Sequence, residues 1–325
     1  MDSWLKENLV CPRDHHKLSL ENQTLTCPLG HTYPYIDGIP IMLLSEAKAT
    51  HRACKQTLEQ AKNYTAGNHP DEEPISQDAV DPYVQKEILG TNGIMYKDLI
   101  NKLTRYPIPE LRLPPGSGQR FLDIGCNWGR WCISAANKGY NAVGIDPSLD
   151  AIKAARRVAK QLGLSVNYVV ADARYLPFAT SSFDIVYSYS VLQHFAKEDA
   201  KLSLAEVART LKMSGTCLIQ MPNIYGLRNI YNQWKRGFKR PENFEVRYWS
   251  NSELENTFKD LIGSTSLFVD GYFSLNPQTT DMDILPQKYK MVVSVSEKLR
   301  KVSENMEWMK LFADSLYVKS IRRAN

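Results

Sequence analysis

The stretch from Arg120 to Asp146, RFLDIGCNWGRWCISAANKGYNAVGID, limits what this 325-residue chain can fold into more than any other. It reads as a buried strand from Phe121 to Ile124, a glycine-bearing turn from Gly125 to Gly129, a helix, and a second strand ending on an acid. Such a turn lets backbone N–H groups approach a ligand closely, and the helix N-terminus behind it adds a favourable dipole. Asp146 stands about twenty residues on, where a dinucleotide-type fold places the carboxylate that takes ribose hydroxyls. The first strand carries Asp123 near its end, before the first glycine. A nicotinamide fingerprint would run G-x-G-x-x-G. The loop here is Gly125-Cys126-Asn127-Trp128-Gly129, and Asp123 puts negative charge where a pyrophosphate would sit. A carboxylate at that point suits a cationic ligand.

The pattern continues downstream. Ser148 is a good N-cap for a helix from Leu149 to Leu162, with Leu149, Ile152, Ala155, Val158 and Leu162 on one face. Asn167 to Val170 reads as a third strand leading to Asp172 and Ala173, and Phe183 to Tyr187 as a fourth leading into Ser188 to Phe195. Ala205 to Leu211 reads as helix, Lys212 to Ser214 as a turn, and Thr216 to Met221 as a fifth strand stopped by Pro222. Strands alternating with helices predict an α/β fold with a parallel sheet covered on both faces. In such sheets the ligand lies over the carboxyl ends of the strands, at the switch in strand order. Asp123, Asp146, Asp172 and the segment from Ser188 to His194 all fall at those ends.

These residues resemble motif I of the class I S-adenosylmethionine-dependent methyltransferases, D-x-G-x-G-x-G, with Asn127 in place of the middle glycine. Asparagine is the non-glycine residue that best tolerates left-handed backbone. The resemblance covers residues 119–258 and implies a doubly wound, mostly parallel, seven-stranded Rossmann-like sheet. It implies S-adenosyl-L-methionine as cofactor, its methionine moiety held by Asp123, Gly125, Asn127 and Gly129, its ribose by Asp146, its adenine edge by Asp172 and Ala173. The run YSYSVLQHF, from Tyr187 to Phe195, is similar to the motif that floors the methyl-transfer site; it brings in Ser190 as a further cofactor-binding residue and Tyr189 and His194 as catalytic candidates. His194 is a candidate base near neutrality, with a packing role as the alternative, and Tyr189 could orient an acceptor.

A second feature lies at the N-terminus. Cys11-Pro12-Arg13-Asp14-His15 is followed by Cys27-Pro28-Leu29-Gly30-His31, and then by an apolar run from Ile39 to Leu44. Paired Cys-Pro turns across a short hairpin resemble a small zinc-ribbon-like module of the kind found beside or fused to methyltransferases. Such modules carry C-x2-C in the first turn, where this chain has Asp14 with His15 and His16 beside it. The expected ligands of a structural zinc are Cys11, His15, Cys27 and His31; a metal-free descendant leaning on the larger domain is the other reading.

The domain plan expected is a zinc-ribbon-like module over 1–46, a helical connector and cofactor lid over 47–106, a methyltransferase domain over 107–270, and a helical C-terminal extension over 271–325. In the connector, Ile94 to Leu103 reads as helix, Asp71 to Pro74 as loop, and Tyr83, Asn92 and Tyr96 as lid candidates, with a packed connector as the other reading of each. Leu267 to Val269 reads as a sixth strand; Tyr289 to Val295 competes between a seventh strand and helix, and Ser296 to Val318 reads as helix. Within the domain, 223–248 is a substrate insertion whose NIYGLRNIYNQWKRGFKR interleaves aromatics with Arg228, Lys235, Arg236, Lys239 and Arg240. That mix suits bases and phosphates, or an anionic lipid surface for peripheral membrane contact, or a packed helix with a solvated basic face. The hydrophobic content of 43% is that of a globular protein, and the net charge of +5 permits an anionic partner without demanding one. No apolar run approaches the roughly eighteen residues of a transmembrane segment, no signal pattern opens the chain, and the six cysteines are scattered, so a cytoplasmic, reducing setting is expected. The function expected is methyl transfer to an oxygen or nitrogen of a small-molecule, glycan or lipid-linked acceptor. An RNA methyltransferase is the alternative, although the Asn/Asp-Pro-Pro-aromatic tetrad of many base-amino methyltransferases is replaced here by Ser188-Tyr189-Ser190-Val191. A non-catalytic binding protein retaining the fold is the third reading.

Overall fold

The computed structural model describes residues 1–64, 76, 79–273, 276 and 278–323. The N-terminal module has a short helix α1 (Ser3–Asn8) and strands β1 (Ser19–Glu21), β2 (Thr24–Thr26), β3 (Thr32–Ile36) and β4 (Ile39–Pro40), paired in order in one antiparallel sheet. Helices α2 (Arg52–Lys62) and α3 (Pro82–Asn92) and a 3-10 turn (Ile94–Leu99) follow. The large sheet is then built from β5 (Arg120–Ile124), α4 (Arg130–Asn137), β6 (Asn141–Asp146), α5 (Leu149–Gln161), β7 (Asn167–Val170), β8 (Phe183–Ser188), α6 (Lys197–Thr210) and β9 (Leu211–Pro222). After it come α7 (Leu227–Lys235), α8 (Asn251–Leu261), β10 (Gly263–Gly271), α9 (Gln287–Ser303) and β11 (Ser315–Arg322).

Its strand order is β10-β11-β9-β8-β5-β6-β7. Pairings from β9 through β8, β5 and β6 to β7 are parallel, and only β11 runs against its neighbours. The chain moves outward from β5 to β7 and then returns to β8 on the other side of β5. That reversal opens a crevice at the carboxyl ends of β5 and β8, where the ligand of an open α/β sheet sits. The strands are apolar because helices cover both faces: Phe121, Leu122, Val143 and Val186 are all fully buried. On α5, the Ser148 hydroxyl accepts the Ala151 N–H at 3.2 Å, and Leu149, Ile152, Ala155 and Val158 are buried as their spacing predicts, whereas Leu162 lies just past the helix end and is exposed.

The module is docked on the edge of this sheet. Ile41 bridges Val170 in parallel, the Met42 N–H donates to the Val170 carbonyl at 2.8 Å, and Leu9 bridges Phe178. Ile39, Ile41, Met42 and Leu43 are buried by that contact, so the unit shares the larger domain's core. In the connector, the Thr57 hydroxyl donates to the Pro147 carbonyl (2.8 Å) and accepts from the Leu149 N–H (3.0 Å), seating α2 over the end of β6.

The C-terminal segment differs from expectation. The helical C-terminal extension over 271–325 is not what the chain forms: Tyr289 to Val295 lies in α9, which ends at Ser303, and 315–322 is the antiparallel strand wedged between β9 and β10. The run Leu316-Tyr317-Val318 is buried and is paired along both edges with strands distant in sequence, so its state is set by lateral pairing that no local periodicity records. Ile94 to Leu103 is also not one helix; a 3-10 turn ends at Leu99, and the α-helix of this region is α3. Asp71 to Pro74 lies outside the described residues. Leu316→Ala should destabilise the protein by about 2–5 kcal/mol in denaturant unfolding, while Val302→Ala on exposed α9 surface should stay within about 0.5 kcal/mol. A near-neutral Leu316→Ala would mean that the C-terminal strand is not part of the core sheet.

Candidate functional site

The loop after β5 takes its shape from three left-handed residues, Gly125 (φ 75°), Asn127 (φ 47°) and Gly129 (φ 82°). A Cβ on Gly125 would fall 2.3 Å from Val191 Cγ2, and one on Gly129 would fall 2.4 Å from the Tyr168 hydroxyl. Asn127 meets the same backbone demand by accepting the Trp128 N–H on its own side chain at 2.8 Å. Asp146 is tied to this loop: one carboxylate oxygen accepts the Asn127 N–H at 3.1 Å and the other the Ser148 N–H at 2.9 Å. Desolvation in the cleft pushes its carboxyl up to about 6 against those two donors. Asp123 is 1% exposed, with the Cys132 thiol 3.4 Å away as donor, and burial pushes it up to about 7. Two acids thus share one cleft, both held away from their ordinary range by loss of water.

One connector residue borders Asp146, and two more, nearby in the sequence, are buried. Tyr83 lies beside Asp146, Asn127 and Ser148, and burial with the Asp146 charge raises its hydroxyl. Asn92 is fully buried, and the Tyr96 hydroxyl donates to Asp281 at 2.5 Å. These are the three lid candidates read from the sequence. On the other side, the Ser188 hydroxyl donates to the Ile124 carbonyl (3.0 Å), and Ser190 (φ 60°) gives both its N–H and its hydroxyl to Gln220 Oε1 at 2.9 and 3.1 Å. Asn276 Nδ2 donates to the Ser190 hydroxyl at 2.9 Å. Tyr189 donates to Asp270 at 2.8 Å, with Ser315 (2.7 Å) and Arg112 (3.1 Å) on the same carboxylate. Burial and the Asp270 charge keep the Tyr189 hydroxyl protonated.

Two expected roles change. Both Asp172 oxygens hold Arg174, at 2.7 Å to Nη2 and 3.1 Å to Nε, so its carboxylate is an anchor for that buried guanidinium, and Ala173 beside it is buried in the core. His194 is not placed to act as a base: its ring stacks on Phe244 at 4.0 Å, Nδ1 donates to the Phe244 carbonyl at 2.7 Å, and Nε2 faces the Gln193 amide at 3.2 Å. Burial lowers its pKa to about 4, so it stays neutral and pins the 241–248 segment.

Residues 121–215 match the family described as a methyltransferase domain. A ubiquinone biosynthesis O-methyltransferase of Rhizobium etli is 33% identical over 179 residues, 52% of this chain and 71% of that protein. The protein of the same name from Brucella anthropi is 34% identical over 118 residues, 32% of this chain and 48% of that one. The chain belongs to the class I S-adenosylmethionine-dependent methyltransferases. It spans about half the length of most of the curated relatives it matches, as with the Brucella protein at 48%. A solved S-adenosylmethionine-dependent methyltransferase of Methanosarcina mazei is 19% identical, with 69% of this chain and 100% of that chain covered, at a TM-score of 0.47.

The methyltransferase site fits that cofactor. Arg130 is 5% exposed, and its Nη1 has no hydrogen-bond partner among the described residues; the same is true of Asn92 Nδ2. A buried guanidinium with a nitrogen left unpartnered suits a carboxylate, and Asp123 suits a cation, which together match the two charged ends of an amino acid. Arg130 was not singled out from the sequence. The available signal was a cation in the first turn of a helix, where the macrodipole disfavours it.

In the module, Cys11, Asp14, Cys27 and His31 bring their ligand atoms within 4.8 Å of one another. Cys11 Sγ and Cys27 Sγ lie 3.5 and 3.4 Å from His31 Nδ1, close to the roughly 3.5 Å sulfur–nitrogen edge that a tetrahedral zinc imposes. Asp14 replaces His15 in the expected set. The turn carries Asp14 back toward Cys27 (3.4 Å) and His31 (2.8 Å), whereas His15, at φ 59°, points into the field of Arg209 and Glu206. These four residues could hold a structural zinc. Elemental analysis should then find about one zinc per chain, lost in Asp14→Ala and retained in His15→Ala. Retention in both variants, or no zinc in the wild type, would contradict this ligand set.

Proposed function

We propose that this chain transfers a methyl group from S-adenosylmethionine to a hydroxyl oxygen of a small organic acceptor, and that its N-terminal module is held by zinc. The observation that carries the oxygen acceptor is the similarity to the Rhizobium etli O-methyltransferase, which reaches well beyond the cofactor loop. In this reading Asp123, Gly125, Asn127, Gly129 and Arg130 surround the methionine moiety, Asp146 takes the ribose hydroxyls, and Ala173 borders the adenine. The cofactor supplies an already activated methyl, so the protein's work is positioning and exclusion of water. Val191 packs on Gly125, and Trp131, Tyr187 and Tyr189 form an aromatic wall with ring centroids 4.8–5.0 Å apart about Trp131. Ser190, Gln220 and Asn276 form the polar group that would receive and orient the acceptor hydroxyl. Tyr189 gives its hydroxyl proton to Asp270 and so contributes to the wall, leaving the orienting of the acceptor to the Ser190 group.

Incubation with methyl-labelled cofactor and a set of phenolic and catecholic acceptors should yield methyl ethers. Gln220→Leu should depress kcat by at least about tenfold with cofactor affinity unchanged, because it removes a buried acceptor from the Ser190 network. Label appearing only in RNA, or cofactor binding without transfer to any hydroxyl, would overturn the reading.

A further inference from the structure

Helix α7 is amphipathic the wrong way round for a helix resting on a core. Its inward face is polar: Asn229 is 2% exposed, donates to the Asn223 and Asp314 carbonyls at 2.8 Å, and its N–H meets Asp314 Oδ1 at 3.0 Å. Gln233, one turn on, donates to the Ile224 carbonyl at 2.9 Å. Leu227, Ile230, Tyr231 and Trp234, spaced at one-turn intervals, face solvent instead, and Phe238 follows beyond the helix end. Trp234 and Phe238 are 64% and 66% exposed. A core-facing helix would bury this stripe; here buried amides anchor the helix so that the stripe stays outside.

A second apolar segment abuts it. The Leu227 N–H donates to the Phe312 carbonyl at 3.4 Å, and Asn223 Nδ2 is bonded to the Leu311 and Ala313 carbonyls at 2.8 and 2.9 Å. That 3-10 segment exposes Trp308 (64%), Leu311 and Phe312. Along α7 and just beyond it the charge is positive, while Glu307, beside Trp308, and Glu245 are each paired with a cation, Lys310 at 2.5 Å and Arg236 at 3.5 Å. Arg228, Lys235, Lys239 and Arg240 are exposed, and no acid lies between Asn223 and Pro241. α7 also leaves directly from the carboxyl end of β9, where Gln220 belongs to the site described above.

We propose that α7 and the 307–312 segment dock on an anionic lipid surface, with Leu227, Ile230, Tyr231, Trp234 and Trp308 entering the headgroup–acyl boundary and the flanking cations on the phosphates. Exposed Trp and Tyr beside Leu and Ile, rimmed by Lys and Arg, is the chemistry of an interfacial helix. A nucleic acid would use the cations and rings but would leave the aliphatic residues in water. The inference rests on the methyl-transfer reading in one respect: it makes the acceptor a hydroxyl compound with an apolar tail, taken from the membrane at the mouth of the site.

Flotation with vesicles tests it without cofactor or acceptor, so its outcome is separate from that of the methyl-transfer assay. The wild type should bind vesicles of phosphatidylcholine with about 30 mol % phosphatidylglycerol and bind pure phosphatidylcholine far more weakly. Brominated acyl chains should quench tryptophan emission, and the quenching should fall in Trp234→Ser. An Ile230→Glu, Trp234→Glu variant should lose at least about tenfold in partitioning while keeping wild-type cofactor affinity and melting temperature. Three results would each overturn the proposal: equal vesicle binding by the variant, no vesicle binding by a folded wild type, or a wild-type dimer or RNA complex that the variant dissolves.

Discussion

A carboxyl group buried under a backbone loop is the constraint on which the rest of the site depends. Asp123 lies beneath the β5–α4 turn with a thiol as its nearest donor, and loss of water brings its titration to about 7. Asp146, on the neighbouring strand, is raised to about 6 for the same reason. Both groups therefore stabilise the ligand-free fold below about pH 4, and that contribution is lost as pH rises through 6 to 7. Stability is spent here on charge that only a cation and hydroxyl donors can settle. Arg130, buried with an unpartnered nitrogen, completes a cleft with paired demands for opposite charges.

The surrounding architecture serves that cleft. The reversal of direction around β5 creates it, Thr57 seats α2 on the end of β6, Tyr83 of α3 lies beside Asp146, and β11 brings Ser315 and Tyr317 against Asp270 and Tyr187. Among the described residues no helix is long and apolar enough to cross a membrane. The N-terminal module is placed by backbone pairing at the opposite edge, through Ile41 and Met42 on β7.

The parts legible in the sequence were those governed by local rules. Strands β5 to β8 follow from apolar runs and α5 from its cap and spacing, and the left-handed loop from Gly125, Asn127 and Gly129. What escaped was set by partners far along the chain. Strand β11 looks like the end of a helix until β9 and β10 flank it, and Asp172 looks free until Arg174 folds back on it. His194 reads as a base until Phe244 stacks on it. Asp14 was visible in the place of a missing cysteine, but the left-handed turn that removes His15 is a backbone fact that residue type does not announce. The inverted polarity of α7 was hidden similarly, since the sequence gives the two faces and only the fold says which one is buried.

The central claim is that binding S-adenosylmethionine ionises the buried acids, Asp123 above all. Titration calorimetry at pH 6.5 in two buffers of different ionisation enthalpy measures it directly. The cofactor's own amino group, with an ordinary pKa of about 7.7–8.0, is already mostly protonated there and contributes little. The account predicts net release of up to about one proton per chain from Asp123 and Asp146 together, largely lost in Asp123→Asn. Proton uptake, or tight binding with no exchange in the wild type, would contradict it.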